Sequence, residues 1–414
     1  MENESSTLRR FSWLALAVSF LLLSPTPAVA GYAGPTVVAK ANRHLWPDAI
    51  KTPAAFDKAS RAALLVYILT LQDLQKASEA DLRALMKVNR PNQASVDNWL
   101  RKEIESSFQR YRQASATCVA NDWTCVESVA ASETLLNQAQ AWNRNIPHAL
   151  SAWRNDFERF CRAYAAEQMR LAALLPGVSS EIARFNDQEW NGDDVADRQF
   201  FLTFDDGPSP VRGETDATLN MLDAKGKSAV FFLLGENLQN RLHRSDGSSL
   251  ARLYQNQCVA SHGWQHRSHA QWSQWQDSVK RTQSLLNSTL PKDSVLPLFR
   301  PPYGQRKADS GAFFQSQSLH VALWNLDSQD WNSRLNADEV VNRIIALMLI
   351  KRRGVVLFHD IHPKARAALP ALFDVLGHAV DWGDCHQLPC SGGYRSGAAG
   401  VVKRDFNPCE TAIP

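Results

Sequence analysis

Apolar residues recur at helical spacing from about residue 40 to about residue 190. One stripe repeats every three or four positions, which places its members on one face of an α-helix; it comprises Leu150, Trp153, Phe157, Phe160, Cys161 and Tyr164. Ser78 and Asp81 stand where a helix N-cap and a first-turn acid belong. The pattern predicts an all-helical segment, and we interpret the aromatic stripe as core packing rather than as an exposed stacking surface.

The pattern changes after Arg198, where short apolar runs alternate with turn signals and amphipathic stretches. Five runs are predicted to be strands: Gln199–Phe204, Ala229–Leu234, Cys258–Ser261, Val321–Leu326 and Val355–Phe358. Amphipathic helices are predicted around Val279–Leu286 and Val340–Leu349. Because strands that alternate with helices form parallel sheets, this half is predicted to be an α/β sheet or barrel that begins after the polar stretch Gly192–Asp197.

The N-terminus has the residue order of a secretory signal peptide. Arg9-Arg10 precedes the apolar stretch Phe11–Leu23, and Ala28-Val29-Ala30 supplies the small residues for cleavage after Ala30. A membrane anchor is the alternative, but the apolar run is short for a spanning helix. We therefore expect an exported protein, in the periplasm with the extracellular space as the alternative, that keeps no stable membrane span after cleavage.

These patterns divide the 414 residues into four parts. Residues 1–30 are the predicted signal peptide, 31–191 a helical domain, 192–383 an α/β domain, and 384–414 a tail rich in Cys and Gly. The formal net charge is only +3 and there is no long basic run, so nucleic acid is not expected as a partner. The sequence identifies no protein partner for the helical domain.

The seven cysteines all lie outside the predicted signal peptide, and export would place them where disulfides persist. Two pairs are close in sequence and predict local loop disulfides, Cys118 with Cys125 and Cys385 with Cys390. Because the count is odd, at least one thiol stays unpaired within a monomer. The cysteines without a predicted partner are Cys161, Cys258 and Cys409.

Polar side chains fall at the C-terminal ends of the predicted strands, where α/β sheets and barrels place active sites. Asp205 and Asp206 close the first strand, so that one carboxylate can bind a metal while the other handles a proton. His262 and His266 follow the third strand, and on a helical turn they would share a face and reach one metal. His269 is a further candidate. The spacing alone does not decide whether His262 and His266, or His266 and His269, bind the metal.

Three more polar clusters follow in order. Arg300-Pro301-Pro302-Tyr303-Gly304 is a rigid loop that can aim Arg300 at a carboxylate and a backbone N–H at an oxyanion. Asp327-Ser328-Gln329-Asp330-Trp331 follows the fourth strand, and His359-Asp360 ends the fifth. A histidine with an aspartate nearby makes a general acid whose charged form is stabilised. Each cluster alone could be an ordinary turn or surface group, but five in order indicate a reaction centre.

The region from about Gln199 to about Asp381 resembles the polysaccharide deacetylase family, the NodB-homology carbohydrate esterases. The five motifs of the family stand here as Thr-Phe-Asp-Asp-Gly-Pro, His-Gly-Trp-Gln-His, Arg-Pro-Pro-Tyr-Gly, Asp-Ser-Gln-Asp-Trp and Leu-Phe-His. Gly263 is a departure, since the family often has Ser or Thr there. The resemblance implies a distorted (β/α)7 barrel, with a further strand near His378–Trp382, after the all-helical N-terminal domain; it says nothing about the helical half.

The resemblance also implies a cofactor and a base. Asp206, His262 and His266 would bind a divalent metal, with zinc expected and cobalt or nickel as alternatives. Asp205 would be the general base, and Arg300 would hold it in its ionised and oriented form.

The remaining motif residues take roles around the substrate by the same resemblance. His359 would be the general acid, tuned by Asp330. Tyr303 would offer its backbone N–H to the oxyanion, while Trp331 and Leu357 would form the walls of the pocket for the acetyl methyl group.

The activity implied is metal-dependent hydrolysis of N-acetyl groups from an amino-sugar polysaccharide, with release of acetate. The partner would be an acetylated glycan: peptidoglycan, a chitin-type polymer or poly-N-acetylglucosamine. An O-acetyl esterase acting on a xylan-like polysaccharide is one alternative, and a non-catalytic glycan-binding protein is another. The metal ligands, base and acid are all retained in this sequence, which argues against the binding-only alternative.

Overall fold

Five α-helices lie in the described residues of the first half of the chain, as the apolar spacing predicts. They are α1 (Pro53–Lys76), α2 (Glu79–Met86), α3 (Gln93–Ala114), α4 (Ser132–Arg144) and α5 (Ser151–Leu174). Ser78 caps α2 as predicted, since its side chain accepts the N–H of Asp81. The structure, a computed structural model, describes residues 36–126, 132–177, 182–186 and 189–391. The predicted signal peptide and residues 392–414 of the predicted tail lie outside these ranges.

A sheet of nine strands dominates the second half within the described residues. The strands are β1 (Glu189–Trp190), β2 (Gln199–Asp205), β3 (Val230–Leu233), β4 (Cys258–Ser261), β5 (Val295–Phe299), β6 (His320–Ala322), β7 (Leu326–Asp327), β8 (Gly354–His359) and β9 (Asp381–Trp382). Their order is β1-β6-β5-β4-β3-β2-β8-β7, with β9 paired to β2. Every pairing is parallel.

Helices connect most of these strands. They are α6 (Glu214–Ala224), α7 (Gly235–Leu242), α8 (Gly247–Leu253), α9 (Trp275–Thr289), α10 (Gly311–Ser316), α11 (Ala337–Lys351), α12 (Pro363–Leu376) and α13 (Leu388–Ser391). A capping box starts α11, in which the Asn336 side chain accepts the Glu339 N–H and the Glu339 side chain accepts the Asn336 N–H.

The two faces of the strands pack against different layers, because successive side chains point to opposite faces. One face forms an apolar cluster with members from β1 to β6 and β8, including Trp190, Phe201, Phe232, Leu298 and Leu357. The alternate positions pack into a second cluster with the helices, including Phe200, Phe204, Phe231, Val259 and Phe358. Since β1 and β8, far apart in the strand order, share one interior, the predicted distorted barrel with helices outside is confirmed.

The strands differ from the prediction in some details and agree with it in others. The run Val321–Leu326 is not one strand but contributes to β6 and β7, which pair with different neighbours. β5 was not predicted, because Pro297 lies inside it and proline argues against a strand interior. The further strand expected near His378–Trp382 is β9, which pairs with Gln199 and Phe200 at the start of β2.

The helical segment and the sheet share one hydrophobic core. Helix α1 is buried along most of its length and contacts α3, α5 and also α11 of the second half. The predicted aromatic stripe on α5 is buried, as expected for core packing. β1 lies before the predicted boundary at Gly192 yet pairs with β6. The division into separate domains therefore stays a prediction.

Buried ion pairs also join the two halves. Three carboxylates of the helical segment face basic side chains at α11 and its C-cap. They are Asp57 with Arg352, Glu103 with Lys351 and Glu167 with Arg343, each with a shortest N–O distance of 2.8 Å. Removing one partner of such a pair leaves an uncompensated buried charge, so these pairs stabilise one arrangement of the helical segment on α11.

We expect the Glu103→Gln variant to be destabilised at neutral pH and much less so in acid. Burial alone would raise the pKa of Glu103, but Arg110 and Lys351 lower it from 4.5 to about 2. A carboxyl group with a lowered pKa in the folded state adds to the free energy of unfolding. This addition is complete at a pH above the pKa of the unfolded state and is lost as the pH falls toward the pKa of the folded state. The contribution is on the order of 3 kcal/mol, measurable by urea unfolding at about pH 7 and about pH 2.5.

The matched control is Glu105→Gln, on the same helix but exposed, which should leave the free energy of unfolding nearly unchanged. A stability deficit of Glu103→Gln that is the same at both pH values would contradict the assignment of the ion pair.

The disulfides match one prediction and correct the other. Cys118 and Cys125 form the predicted local disulfide. The predicted pair Cys385–Cys390 is wrong, because Cys385 is bonded to Cys258 at the start of β4, 127 positions earlier. Cys258 and Cys385 both lie in the apolar cluster of the barrel interior. No local sequence pattern indicates that these two cysteines are close in space.

Cys161 is a buried free cysteine. The side chains of Cys390 and Cys409 lie outside the described residues. Within the part of the chain that the structure describes, no helix is both long and apolar enough to cross a membrane.

Candidate active site

The predicted reactive side chains gather where parallel strands end. Asp205 at the end of β2 is in register with His359 of β8 on one side and with Phe232 of β3 on the other. His262 follows β4, and its backbone N–H donates to the Leu233 carbonyl at 2.9 Å. Residues from distant parts of the sequence therefore meet at the carboxyl edge of the sheet, the usual location of active sites in such folds.

Asp206, His262 and His266 lie close enough together to share one cation. Asp206 Oδ1 lies 3.4 Å from Nε2 of His262 and 3.6 Å from Nε2 of His266. The three potential ligand atoms are all within 4.8 Å of one another. Ligands bound about 2.1 Å from a tetrahedral zinc ion are separated by about 3.4 Å, so the spacing fits a small divalent metal ion.

Hydrogen bonding supports the same assignment. His262 Nδ1 lies 2.8 Å from the Arg300 carbonyl oxygen. Because a carbonyl can only accept, Nδ1 carries the proton and Nε2 presents a lone pair. This Nε2 and Asp206 Oδ1 are buried atoms without a hydrogen-bond partner among the described residues. Two buried acceptors that face each other fit a cation between them.

The protonation states are also those of metal ligands. Burial alone would raise the pKa of Asp206, but His262, His359 and His266 hold it below the usual range. Burial lowers the pKa of His266 to about 4, so its ring is neutral at neutral pH. An ionised carboxylate and a neutral imidazole can each donate a lone pair to a divalent metal.

The loop from His262 to His266 is irregular, so the predicted helical turn is wrong. Gly263 has φ +81°, and a Cβ there would lie 2.8 Å from the His269 ring, which explains why a residue with a side chain does not fit. The Trp264 N–H donates to Ser278 Oγ of α9 at 2.7 Å. The rings of His262 and His266 still lie 5.4 Å apart between centroids.

His269 is not part of the triad of potential metal ligands formed by Asp206, His262 and His266. Its Nδ1 is 2.9 Å from the Arg267 carbonyl oxygen and its Nε2 is 3.2 Å from Ser278 Oγ. Both ring nitrogens therefore have partners within the fold. Between the two histidine pairs that the spacing left open, the structure brings His262 and His266 together.

Asp205 is held from one side by Arg300. The Arg300 Nη1 donates to Asp205 Oδ1 and to Thr203 Oγ1, both at 2.8 Å, and its Nε donates to the Ala322 carbonyl at 3.0 Å. Arg300 is 0% exposed and Asp205 is 3% exposed. A charge-assisted pair of this kind fixes the carboxylate in one orientation. Asp205 Oδ2 then lies 3.7 Å from His262 Nε2.

His359 is paired with Asp330. The His359 Nδ1 lies 2.8 Å from Asp330 Oδ1, and the His359 backbone N–H donates to Asp330 Oδ2 at 2.9 Å. Burial alone would lower the pKa of His359, but Asp330 above all, with Asp206 and Asp205, raises it to about 10. The ring is therefore protonated at neutral pH, and Nδ1 is committed to Asp330.

The three residues predicted to surround the substrate occupy different environments. Tyr303 has φ +59°, and its ring packs edge-on against His266 with 4.3 Å between centroids. Leu357 is buried on the barrel interior in register with Thr203. Trp331 is half-buried directly after Asp330. The structure thus places the Tyr303 ring against His266. Leu357 lies on β8, the strand next to β2, which carries Asp205.

Sequence reasoning assigned no supporting role to several residues near the site. Thr203 accepts a hydrogen bond from Arg300 and lay within the first motif, where its position before the aspartates was a usable signal. Ser278 supports the histidine loop from α9 and has no local signature. Asp360 is buried beside Gly207, where an added Cβ would lie 2.4 Å from a carboxyl oxygen, so only glycine fits at position 207.

Comparison with known proteins gives an independent line of evidence. A family model described as polysaccharide deacetylase matches residues 192–321. The chain is 30% identical over 177 residues to a chitooligosaccharide deacetylase of Bradyrhizobium sp. (strain ANU 289), a match that covers 42% of this chain and 75% of that protein. It is 30% identical over 199 residues to a peptidoglycan-N-acetylglucosamine deacetylase of Bacillus cereus, covering 42% of this chain and 63% of that protein.

The family model leaves the helical segment outside its matched residues. The chain spans 63%, 22% and 27% of three curated relatives, the Bacillus cereus protein and two bifunctional xylanase/deacetylases from Cellvibrio japonicus and Pseudobutyrivibrio xylanivorans. A crystal structure of the Bc1960 peptidoglycan N-acetylglucosamine deacetylase aligns with a TM-score of 0.40 and 22% identity, over 45% of this chain and 85% of that chain.

Proposed function

Because the chain belongs to the polysaccharide deacetylase family, we propose that it removes N-acetyl groups from an amino-sugar polysaccharide and releases acetate. The single observation that carries the proposal is the convergence of Asp206, His262 and His266, with Asp205 and His359 on the strands beside them. An amide hydrolase needs a base for water and an acid for the amine that leaves, and the two flanking residues can fill these roles.

The proposed cofactor is a divalent metal held by Asp206, His262 and His266. Two imidazoles and one carboxylate suit zinc, and also cobalt or nickel, because this ligand set selects weakly among them. When bound, the metal would act as a Lewis acid on the amide carbonyl and increase the acidity of water.

Asp205 is the proposed general base. Arg300 donates to Oδ1 and holds this carboxylate in one orientation, which leaves Oδ2 on the side of the triad. From there the carboxylate can accept a proton from water as the water attacks the acetyl carbonyl. The backbone N–H of Tyr303 is proposed to donate to the oxyanion that forms.

His359 is the proposed general acid. Asp330 holds Nδ1, so the proton on Nε2 is the one available to the leaving amine, which is a poor leaving group unless it is protonated. Trp331 and Leu357 are proposed to form the walls of the pocket that receives the acetyl methyl group.

The substrate proposed is peptidoglycan, a chitin-type polymer or poly-N-acetylglucosamine. Relatives named as peptidoglycan and chitooligosaccharide deacetylases support an N-acetylated substrate. The relative named as a bifunctional xylanase/xylan deacetylase keeps an O-acetyl esterase as the second candidate. We further propose that the protein is exported, with the periplasm as its compartment, because disulfides persist in oxidising environments.

We expect purified protein to release acetate from at least one of peptidoglycan, chitin oligomers and poly-N-acetylglucosamine, and not from acetyl-xylan. Activity should disappear on chelation and return when zinc, cobalt or nickel is added, because the proposed cofactor is the Lewis acid. Acetate release is measured for each polymer, with His359→Ala as a control that keeps the metal but loses turnover.

Two outcomes would redirect the proposal. Release from acetyl-xylan alone would identify an O-acetyl esterase. Glycan binding without acetate release by metal-loaded protein would identify a binding protein instead.

A further inference from the structure

A buried ion pair links the helical segment to the strand end that precedes Asp330. The helical segment lies outside the residues matched by the family model, 192–321. Arg343 of α11 donates to both carboxyl oxygens of Glu167 of α5, at 3.1 and 2.8 Å. Glu167 also accepts the backbone N–H of Ala39 at 2.7 Å. Arg343 is 1% and Glu167 is 5% exposed, so the pair is shielded from water.

The same guanidinium reaches the fourth polar cluster. Arg343 Nε donates to the Asp327 carbonyl oxygen at 2.9 Å, at the end of β7. Arg343 Nη1 also donates to the Ala39 carbonyl oxygen at 3.3 Å, so the three nitrogens of Arg343 are divided between the helical segment and the backbone of this strand end. Because a guanidinium is a planar and rigid donor group, the position of Glu167 sets the direction in which Nε points.

A short turn connects Asp327 to Asp330, the residue that is hydrogen-bonded to the proposed general acid, His359. Asp327 Oδ1 accepts the Gln329 N–H at 2.8 Å, and Gln329 is in the left-handed region with φ +52°. Ser328 Oγ donates to Asp330 Oδ1 at 3.1 Å. Asp330 in turn holds both the ring and the backbone of His359. A displacement of the Asp327 strand end would therefore be transmitted to the Asp330–His359 pair over three residues.

We propose that Glu167, acting through Arg343, is a positioning residue for the Asp330–His359 pair, so that the helical segment is part of the catalytic architecture. This inference rests on the proposed role of His359 as general acid. Glu167 touches neither substrate nor metal ligands; it acts by directing Arg343 Nε at the Asp327 carbonyl oxygen.

Charge explains how the loss of Glu167 would act. Arg343 would stay buried without its counter-charge, and Asp327, 8% exposed, is the other carboxylate that acts on it. A buried guanidinium without a partner is strongly driven to find one. By turning toward the Asp327 carboxylate it would compete with the Gln329 N–H, and the turn that holds Asp330 would loosen.

The test compares Glu167→Gln with Glu103→Gln. Both replace a buried carboxylate of the helical segment that pairs with a basic residue of α11, but the Glu103 pair does not contact the 327–330 turn. In metal-loaded protein we expect Glu167→Gln to lower kcat roughly 2- to 30-fold with KM and metal content unchanged. Glu103→Gln should lower stability and leave kcat near the wild-type value.

A second readout is independent of turnover. In protein labelled with 15N-histidine, the His359 Nδ1 proton shared with Asp330 should give a downfield NMR resonance, assigned by its absence in His359→Gln. We expect this resonance to shift or broaden in Glu167→Gln and to be unchanged in Glu103→Gln. If wild-type protein releases no acetate, the proposed function fails, and the resonance alone still tests the positioning role.

The double variant Glu167→Met/Arg343→Met guards against a misfolded single variant, because replacing both partners of a buried pair by apolar residues is often tolerated. We therefore expect the double variant to fold. Because it lacks the hydrogen bond from Arg343 Nε to the Asp327 carbonyl oxygen, kcat and the His359 resonance should change in the same direction as in Glu167→Gln. A wild-type resonance in this variant and in Glu167→Gln would overturn the proposal. Equal effects of Glu167→Gln and Glu103→Gln on kcat would overturn it as well.

Discussion

The Asp205→Asn variant should lose about 100- to 10,000-fold in kcat while it binds metal with wild-type stoichiometry. The amide cannot accept the proton that the proposed base removes from water, yet Asp205 is not one of the three residues whose ligand atoms converge. Its Oδ1 is occupied by Arg300, so only Oδ2 is available for proton transfer. The measurements are acetate release under saturating substrate and metal content by elemental analysis.

The control for this variant is Asp381→Asn, an exposed carboxylate of β9 that should leave kcat unchanged. Asparagine at position 205 also removes the counter-charge of a fully buried arginine, so thermal unfolding must be recorded beside activity. Folded, metal-loaded Asp205→Asn protein that turns over like the wild type would remove Asp205 from the mechanism.

The Asp206→Asn variant should differ from its neighbour by losing the metal itself. The substitution keeps the size of the side chain, and asparagine tolerates the left-handed conformation at φ +76°. It removes the one anionic ligand, which faces two imidazoles, so metal affinity should fall by more than about 100-fold. Competition with a chromogenic chelator measures this affinity, and acetate release at stoichiometric metal should be undetectable.

Thermal stability offers a second measurement on the same variant. A metal that binds only the folded state raises stability with its concentration, so added zinc should raise the Tm of wild type and of Asp205→Asn but not that of Asp206→Asn. An equal rise in all three proteins would place the cation elsewhere.

Local pattern was sufficient for the elements that position the site. The apolar runs of β2, β4 and β8 end in polar residues, and parallel pairing alone brings such ends together. The pattern therefore grouped Asp206 with the nearby histidines, but only the resemblance to the family selected His262 and His266 over His269. The prediction of a helical turn between the histidines failed because Gly263 adopts a positive φ, which the spacing of two histidines does not report.

Contacts between distant segments were beyond the reach of the pattern. Cys385 was paired with its neighbour in sequence, although its true partner, Cys258, lies on a strand packed beneath it. Nothing near Glu167 distinguishes it from the other polar positions on a helix with a buried face, and its partner Arg343 lies 176 residues away. Such pairs depend on how α5 and α11 pack, and single-sequence periodicity fixes the buried face of a helix but not its neighbour.

The packing of α1 against α11 has a consequence for the order of folding. During synthesis α1 leaves the ribosome long before α11, so one apolar side of α1 has no native partner until most of the barrel has been made. Contacts between such distant segments close slowly, since a long loop of chain must first be ordered. The packing of α1 against α11 is therefore completed only after α11 has been synthesised.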